Sequence, residues 1–105
     1  MIVEVSQFRL VQGADEGAFL KAADQTQSAF LAKQEGFAGR DLLRAGDGSW
    51  MDIVRFESKQ AAQAAFSGFA GHPAVKAFES MLETSSISMS HWSVAKSWVS
   101  IHDAE

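Results

Sequence analysis

A chain of 105 residues makes one domain, because at this size about two-thirds of the unfolded surface can be buried, enough for one core and too little for two. Apolar residues are 47% and charged residues 21%, and nine basic side chains against thirteen acidic ones leave a net charge of −4; that acidity argues against nucleic acid or an anionic membrane as partner, since both select basic patches. Cysteine, tyrosine and asparagine are all absent, which excludes disulfides, thiolate catalysis, Cys-ligated zinc, a tyrosine acid, an asparagine oxyanion donor and a glycosylation sequon.

The opening Met1-Ile2-Val3-Glu4-Val5 lacks the basic start and long apolar core of a secretion signal. No apolar run reaches the length of a membrane span, so the expected location is cytoplasmic. Ile2 to Val11 reads as a strand, with Ile2, Glu4, Ser6, Phe8 and Leu10 on one face and Val3, Val5, Gln7, Arg9 and Val11 on the other. Gly13-Ala14-Asp15 breaks it, and Asp15 caps a helix. Phe19, Ala23, Phe30 and Leu31 recur along that helix at helical spacing, and Gly36 is its expected C-terminal glycine. Phe37 to Ala45 reads as a second strand and Ser49 to Glu57 as its return. The Asp47-Gly48 between them is a hairpin signal for a turn with positive φ at both residues. Ser58 caps a second helix with an apolar stripe of Ala62, Ala65, Phe66 and Phe69. Gly71-His72-Pro73 starts a short third helix with proline in its first turn, lined by Val75, Phe78 and Leu82. Ser86 to about Val99 reads as a long final strand.

The order is β-α-β-β-α-β. It predicts an α+β, ferredoxin-like domain over residues 1–105, with a four-stranded antiparallel sheet and both main helices on one face. Helices cover only one face of such a sheet. The other still presents large apolar side chains, so a second copy packed sheet to sheet is expected, giving a two-fold homodimer.

Two stretches carry a family resemblance. Gln34-Glu35-Gly36-Phe37-Ala38-Gly39-Arg40, followed by Asp47-Gly48-Ser49-Trp50-Met51-Asp52-Ile53-Val54-Arg55-Phe56-Glu57-Ser58, resembles the Q-x-G-F-x-x-R … D-G-x-W-x-D-x-V-x-W-x-S run of the antibiotic-biosynthesis-monooxygenase-like dimeric α+β barrels. His72-Pro73 to Phe78, and Ser88-Met89-Ser90-His91, fit the same layout. The resemblance implies a homodimer with a cavity between each sheet and its helices. Some members of that family oxidise aromatic polyketides with O₂ and no metal or flavin, others degrade haem, and many have no known activity, so the resemblance implies a fold and leaves the activity open. The haem-degrading branch relies on an Asn, a Trp and a helical His; this chain has no Asn, and the positions around Phe78 and Glu79 supply no His. The polyketide-oxidising branch uses polar groups that include Tyr, also absent, which leaves Trp, His and Arg to carry any oxygenation.

His91 shares parity with Ile87 and Met89 in the last strand. It is a candidate general base for a phenolic proton, or equally a core or edge histidine with a structural partner. Asp52, in mid-strand with Trp50, Val54 and Phe56, is costly to bury unpaired. It is either a ligand-facing acid or half of an ion pair with Arg9, Arg40, Arg44 or Arg55. Arg55 has the opposite parity and suits the dimer interface. Trp50, His72, Trp92 and Met89 are candidate ligand-binding residues, the tryptophans for stacking on a flat ring. The competing readings are core or interface filling for Trp50, Trp92, Trp98, Met81 and Met89, and helix capping for His72. His72, His91 and His102 lack metal-ligand spacing, so no metal site is expected. No glycine-rich phosphate loop supports a nucleotide cofactor, and no cofactor is expected. Three functional readings follow: a cofactor-independent monooxygenase for a small aromatic molecule, a non-catalytic small-molecule-binding dimer, and a purely structural dimer.

Overall fold

A computed structural model describes residues 1–100. Strand β1 (Ile2–Arg9) is followed by helix α1 (Glu16–Ala29), the hairpin β2 (Phe37–Arg44) and β3 (Ser49–Phe56), helices α2 (Lys59–Phe69) and α3 (Pro73–Glu79), and strand β4 (Ser88–Ser93). The sheet order is β2-β3-β1-β4, antiparallel throughout. This is the expected ferredoxin-like arrangement.

The helix starts obey their capping residues. Asp15 accepts the Ala18 N–H at 2.8 Å, Ser58 that of Ala61 at 3.1 Å, and His72 Nδ1 that of Ala74 at 3.1 Å. Each satisfies a donor that the first helical turn leaves free. The α1 stripe buries Phe19, Ala22, Ala23 and Thr26. Two clusters form the core between helices and sheet. One is aromatic, with Phe19 stacked on Phe78 (5.2 Å between centroids) and edge-on to Trp50 (4.9 Å) and Phe8 (5.9 Å). The other joins Phe30, Leu31, Phe56, Ala62, Ala65 and Val75.

Four boundaries differ from the sequence reading. Strand β1 stops at Arg9, because Leu10 makes only an isolated bridge to Leu82 and Val11 N–H turns to the Met81 carbonyl. Helix α1 ends at Ala29, and a 3-10 turn over Leu31–Lys33 separates it from Gly36. Gly36 is instead required by the entry to β2: its φ is +81°, and a Cβ there would lie 2.5 Å from the Ala61 Cβ. The β2–β3 loop is Ala45-Gly46-Asp47-Gly48, with positive φ at Gly48 and not at Asp47; the Asp47 carboxylate accepts from the Ser49 N–H (3.0 Å) and hydroxyl (2.6 Å). Strand β4 covers six residues, starts after a 3-10 turn at Thr84–Ser86, and ends at Ser93, not near Val99. Its last pair is Ser93 with Ile2, and the Val94 N–H still donates to the Met1 carbonyl at 3.0 Å; the chain of β1 begins there, so it has no further residues to pair with 95–99.

The face of the sheet away from the helices carries Val3, Val5, Met51 and Ile53, half-buried, with Leu43 and Trp92 exposed. Arg55 and Asp41 pair on this face at 2.7 Å. No helix among the described residues is long and apolar enough to cross a membrane.

Candidate functional site

On the helix-facing side, strand alternation lines up Glu4, Ser6 and Phe8 on β1 with Trp50, Asp52, Val54 and Phe56 on β3. It adds Met89 and His91 on β4. Between the two core clusters lies a cavity of about 90 Å³. Its wall is mostly apolar, with Phe30, Phe56, Phe66, Phe69 and Phe78 prominent. Ile87, Met89 and Glu79 line it while remaining exposed, so they mark its mouth.

Two carboxylates sit in the wall. Asp52 is held by Arg40, which donates from Nε to Oδ1 at 2.9 Å and from Nη2 to Oδ2 at 2.8 Å. Both side chains are buried. The two residues lie on neighbouring strands two residues out of register, since Asp52 faces Leu42 and Arg40 faces Val54; diagonal neighbours on one face are within reach of a long side chain. Arg40 Nη1 donates further to the Ala23 carbonyl (3.0 Å) and Thr26 Oγ1 (2.9 Å) on α1, and the guanidinium lies 5.6 Å from the centre of the Phe78 ring. Of the four arginines considered for Asp52, Arg40 is the partner. Arg9 pairs with Asp47, Arg44 with Glu16, and Arg55 with Asp41.

The second carboxylate, Glu4, is 6% exposed. Its Oε2 meets His91 Nδ1 across the β1–β4 ladder and has no other partner among the described residues. Burial pushes the Glu4 carboxyl above its ordinary range, and the charge and hydrogen bond of His91 partly oppose this. The His91 side chain is 64% exposed. It lies outside the cavity wall, against a surface groove with Lys59, Gln63 and Phe66, and Glu4 lines both the cavity and the groove.

The other candidates are dispersed. Met89 lies at the cavity mouth. Trp50 is packed in the aromatic cluster and does not reach the cavity; Arg44 covers its ring at 5.7 Å. His72 caps α3 and packs edge-on to Phe30 at 5.4 Å. Trp92 points to the opposite sheet face, where its indole N–H donates to Ser90 Oγ at 2.9 Å. Trp50 and Trp92 therefore do not come together on one ligand. His102 lies outside the described residues. Among the described residues no group of three or more His, Asp or Glu side chains is placed to hold a metal ion. Sequence reasoning named Glu4 only as a member of a strand face. The signal it passed over was the one that singled out Asp52, a carboxylate inside an apolar strand on the core parity.

Similar folds occur in solved structures. SnoaB from Streptomyces nogalater, described as a cofactor-independent oxygenase, superposes with a TM-score of 0.75 at 20% identity over 91% of this chain and 94% of its own. Rv0793 from Mycobacterium tuberculosis gives 0.68 at 15% identity over 91% and 96%. A variant of MhuD, holding two manganese protoporphyrin IX molecules per active site, gives 0.67 at 21% identity over 95% and 100%. No curated protein matches the chain in sequence. The family model for antibiotic biosynthesis monooxygenase matches residues 1–80, and with the fold, cavity and register above in place, the chain belongs to the antibiotic biosynthesis monooxygenase family.

Proposed function

We propose that this protein is a homodimeric oxygenase that uses no resident cofactor and acts on a small phenolic or C–H-acidic aromatic molecule at the cavity between sheet and helices. The observation that carries this reading is Glu4, the buried carboxylate of the wall that no guanidinium holds, set among aromatic and aliphatic side chains with its proton affinity raised by burial. Such a group is tuned toward the pH at which a general base works best. Glu4 takes the substrate proton. The resulting phenolate or carbanion passes an electron to O₂ and the two combine. Glu4 returns the proton to the peroxide so formed, and loss of water gives the quinone or ketone, so that one substrate and one O₂ yield one oxidised product and one water, the substrate supplying all four electrons. Ser6, beside Glu4 on the cavity face of β1, offers a hydroxyl to the oxygen on which charge develops.

Size bounds the substrate. A cavity of roughly 150 Å³ admits one benzene ring, so a 90 Å³ interior takes one edge of a ring, and the rest lies at the mouth against Phe66, Ile87 and Met89. A porphyrin does not fit: the interior is too small, and no histidine lines it. A purely structural dimer would have filled this space. The dimer itself rests on the apolar face of Val3, Val5, Met51 and Ile53, which a second copy would cover.

The test is oxygen consumption with a panel of hydroquinones and naphthols, run beside sedimentation at micromolar concentration. Uptake above autoxidation is expected from a dimer, and Glu4→Gln should lower it by about 10²–10⁴-fold. If hydroquinones bind without any uptake, the protein is a binding dimer instead.

A further inference from the structure

We infer that His91 is a proton relay, which carries the proton held by buried Glu4 out to the surface groove. This rests on the reading of Glu4 as the base, and it assigns His91 a role other than contact with substrate. The geometry has three parts. Glu4 is nearly sealed from solvent and lines the cavity. Its Oε2 meets His91 Nδ1. The rest of the imidazole stands in solvent on the far side, where the groove is walled by Lys59, Gln63 and Phe66, with Phe66 edge-on to the imidazole at 6.2 Å. Glu4 is thus the shared wall between an apolar interior and open water, and His91 is its contact on the water side.

The reaction returns the substrate proton to the peroxide that loses water, so turnover itself exports none; what it requires is an ionised Glu4 when substrate arrives. Burial favours the protonated acid, and shedding that proton into the cavity would put an ion where none is solvated. In the relay, the Glu4 O–H bond breaks as His91 Nδ1 gains the proton. The imidazolium then loses its Nε2 proton to water, and the carboxylate is restored. Because the ring is exposed, rotation or exchange through water returns the Nε2–H tautomer for the next cycle. Other charges near the pair are Lys59 across the groove, Glu79 at the cavity mouth, and the Arg40–Asp52 pair. Arg40 and Asp52 are committed to each other, and Lys59 and Glu79 are exposed, whereas His91 meets the Glu4 carboxylate directly, so His91 is the group placed to carry its proton.

The relay is tested without any substrate. The C=O stretch of the protonated Glu4 carboxyl, assigned by its loss in Glu4→Gln, is followed by infrared spectroscopy after a rapid pH jump. In His91→Ala the change in Glu4 protonation should slow by about a hundredfold, the low end of what a positioned proton carrier contributes. Added imidazole should restore the rate by entering the exposed space that the side chain leaves. His91→Gln, which keeps a hydrogen bond but carries no exchangeable charge, should stay slow. An unchanged rate in His91→Ala would overturn the relay, because Glu4 would then reach water by the cavity mouth. Slowing that imidazole does not rescue would also overturn it and assign His91 a packing role. Absence of oxygen uptake with every aromatic probe would bear on the oxygenase reading and leave this readout intact.

Discussion

Asp52 and Glu4 are both buried carboxylates on the helix-facing side of the sheet, on the adjacent strands β3 and β1. What holds them differs. Asp52 meets a guanidinium through two hydrogen bonds, and that guanidinium is itself tied to α1 through Ala23 and Thr26. Glu4 meets one nitrogen of an imidazole that is mostly in water. A guanidinium keeps its charge over the whole range in which proteins fold, whereas an imidazole nitrogen can both accept and release a proton. The first pair therefore fixes geometry, clamping β2 and β3 to α1 at one end of the cavity. The second can change charge at the other end. Burial alone does not mark a functional acid; the mobility of the partner's charge separates the two.

The largest effect expected from breaking this contrast is at Arg40. Arg40→Met leaves Asp52 buried with its partner gone, and loss of one member of a buried pair costs about 3–5 kcal/mol. Urea unfolding should show that loss, and the double change Arg40→Met with Asp52→Leu should recover most of it, because the stranded charge is gone. A loss of about 0.5 kcal/mol, typical of a surface substitution, would mean that Asp52 finds another partner.

The contrast also explains what the sequence revealed. Element order, capping at Asp15 and Ser58, the proline start of α3 and the core residues Phe19, Phe78 and Phe56 follow from local periodicity, and periodicity is written in the chain. The end of β4 is not local. It depends on where β1 begins, because a strand ends when its partner runs out, and nothing in Val94 to Val99 announces that. The partner of Asp52 was narrowed to four arginines, and only the β2–β3 register selects Arg40. The Glu4–His91 contact joins residues 4 and 91 through the β1–β4 pairing. Sequence alone gave each of them a face without saying that the two strands are neighbours in that register.

A smaller effect concerns pH. Burial raises the Glu4 carboxyl above its ordinary value of 4.5, so the folded state holds this proton more tightly than the unfolded chain does. The resulting stabilisation is complete below the ordinary value and is lost as pH rises through the raised folded value. Glu4→Gln removes it. The stability of the wild type minus that of Glu4→Gln should therefore fall with pH across that window, by at most about 1.4 kcal/mol per pH unit for one proton, and level off on both sides. His91→Ala removes the charge that opposes the effect of burial and should extend the upper end of the window to higher pH, its lower end being set by the unfolded chain. Urea titrations at a series of pH values measure both, and a flat difference for Glu4→Gln would show that Glu4 is not perturbed by burial.

The smallest effect sharpens the comparison most. Thr26 is almost fully buried on α1; its hydroxyl donates to the Ala23 carbonyl at 2.7 Å and accepts from Arg40 Nη1 at 2.9 Å. Thr26→Val keeps the shape, leaves no cavity, and changes helix propensity little. Both hydrogen bonds of the hydroxyl are lost, but its two partners, Arg40 Nη1 and the Ala23 carbonyl, keep their bond to each other, so neither is left unsatisfied and the net cost should be only about 1 kcal/mol. The informative measurement is the Glu4 pH window in this variant. If the Arg40–Asp52–Thr26 group is a fixed clamp, loosening one strut lowers stability equally at every pH and leaves the window where it was. A displaced window would mean that the two ends of the cavity share one electrostatic network. The division into a fixed pair and a titrating pair would then give way to a single coupled set of four charges.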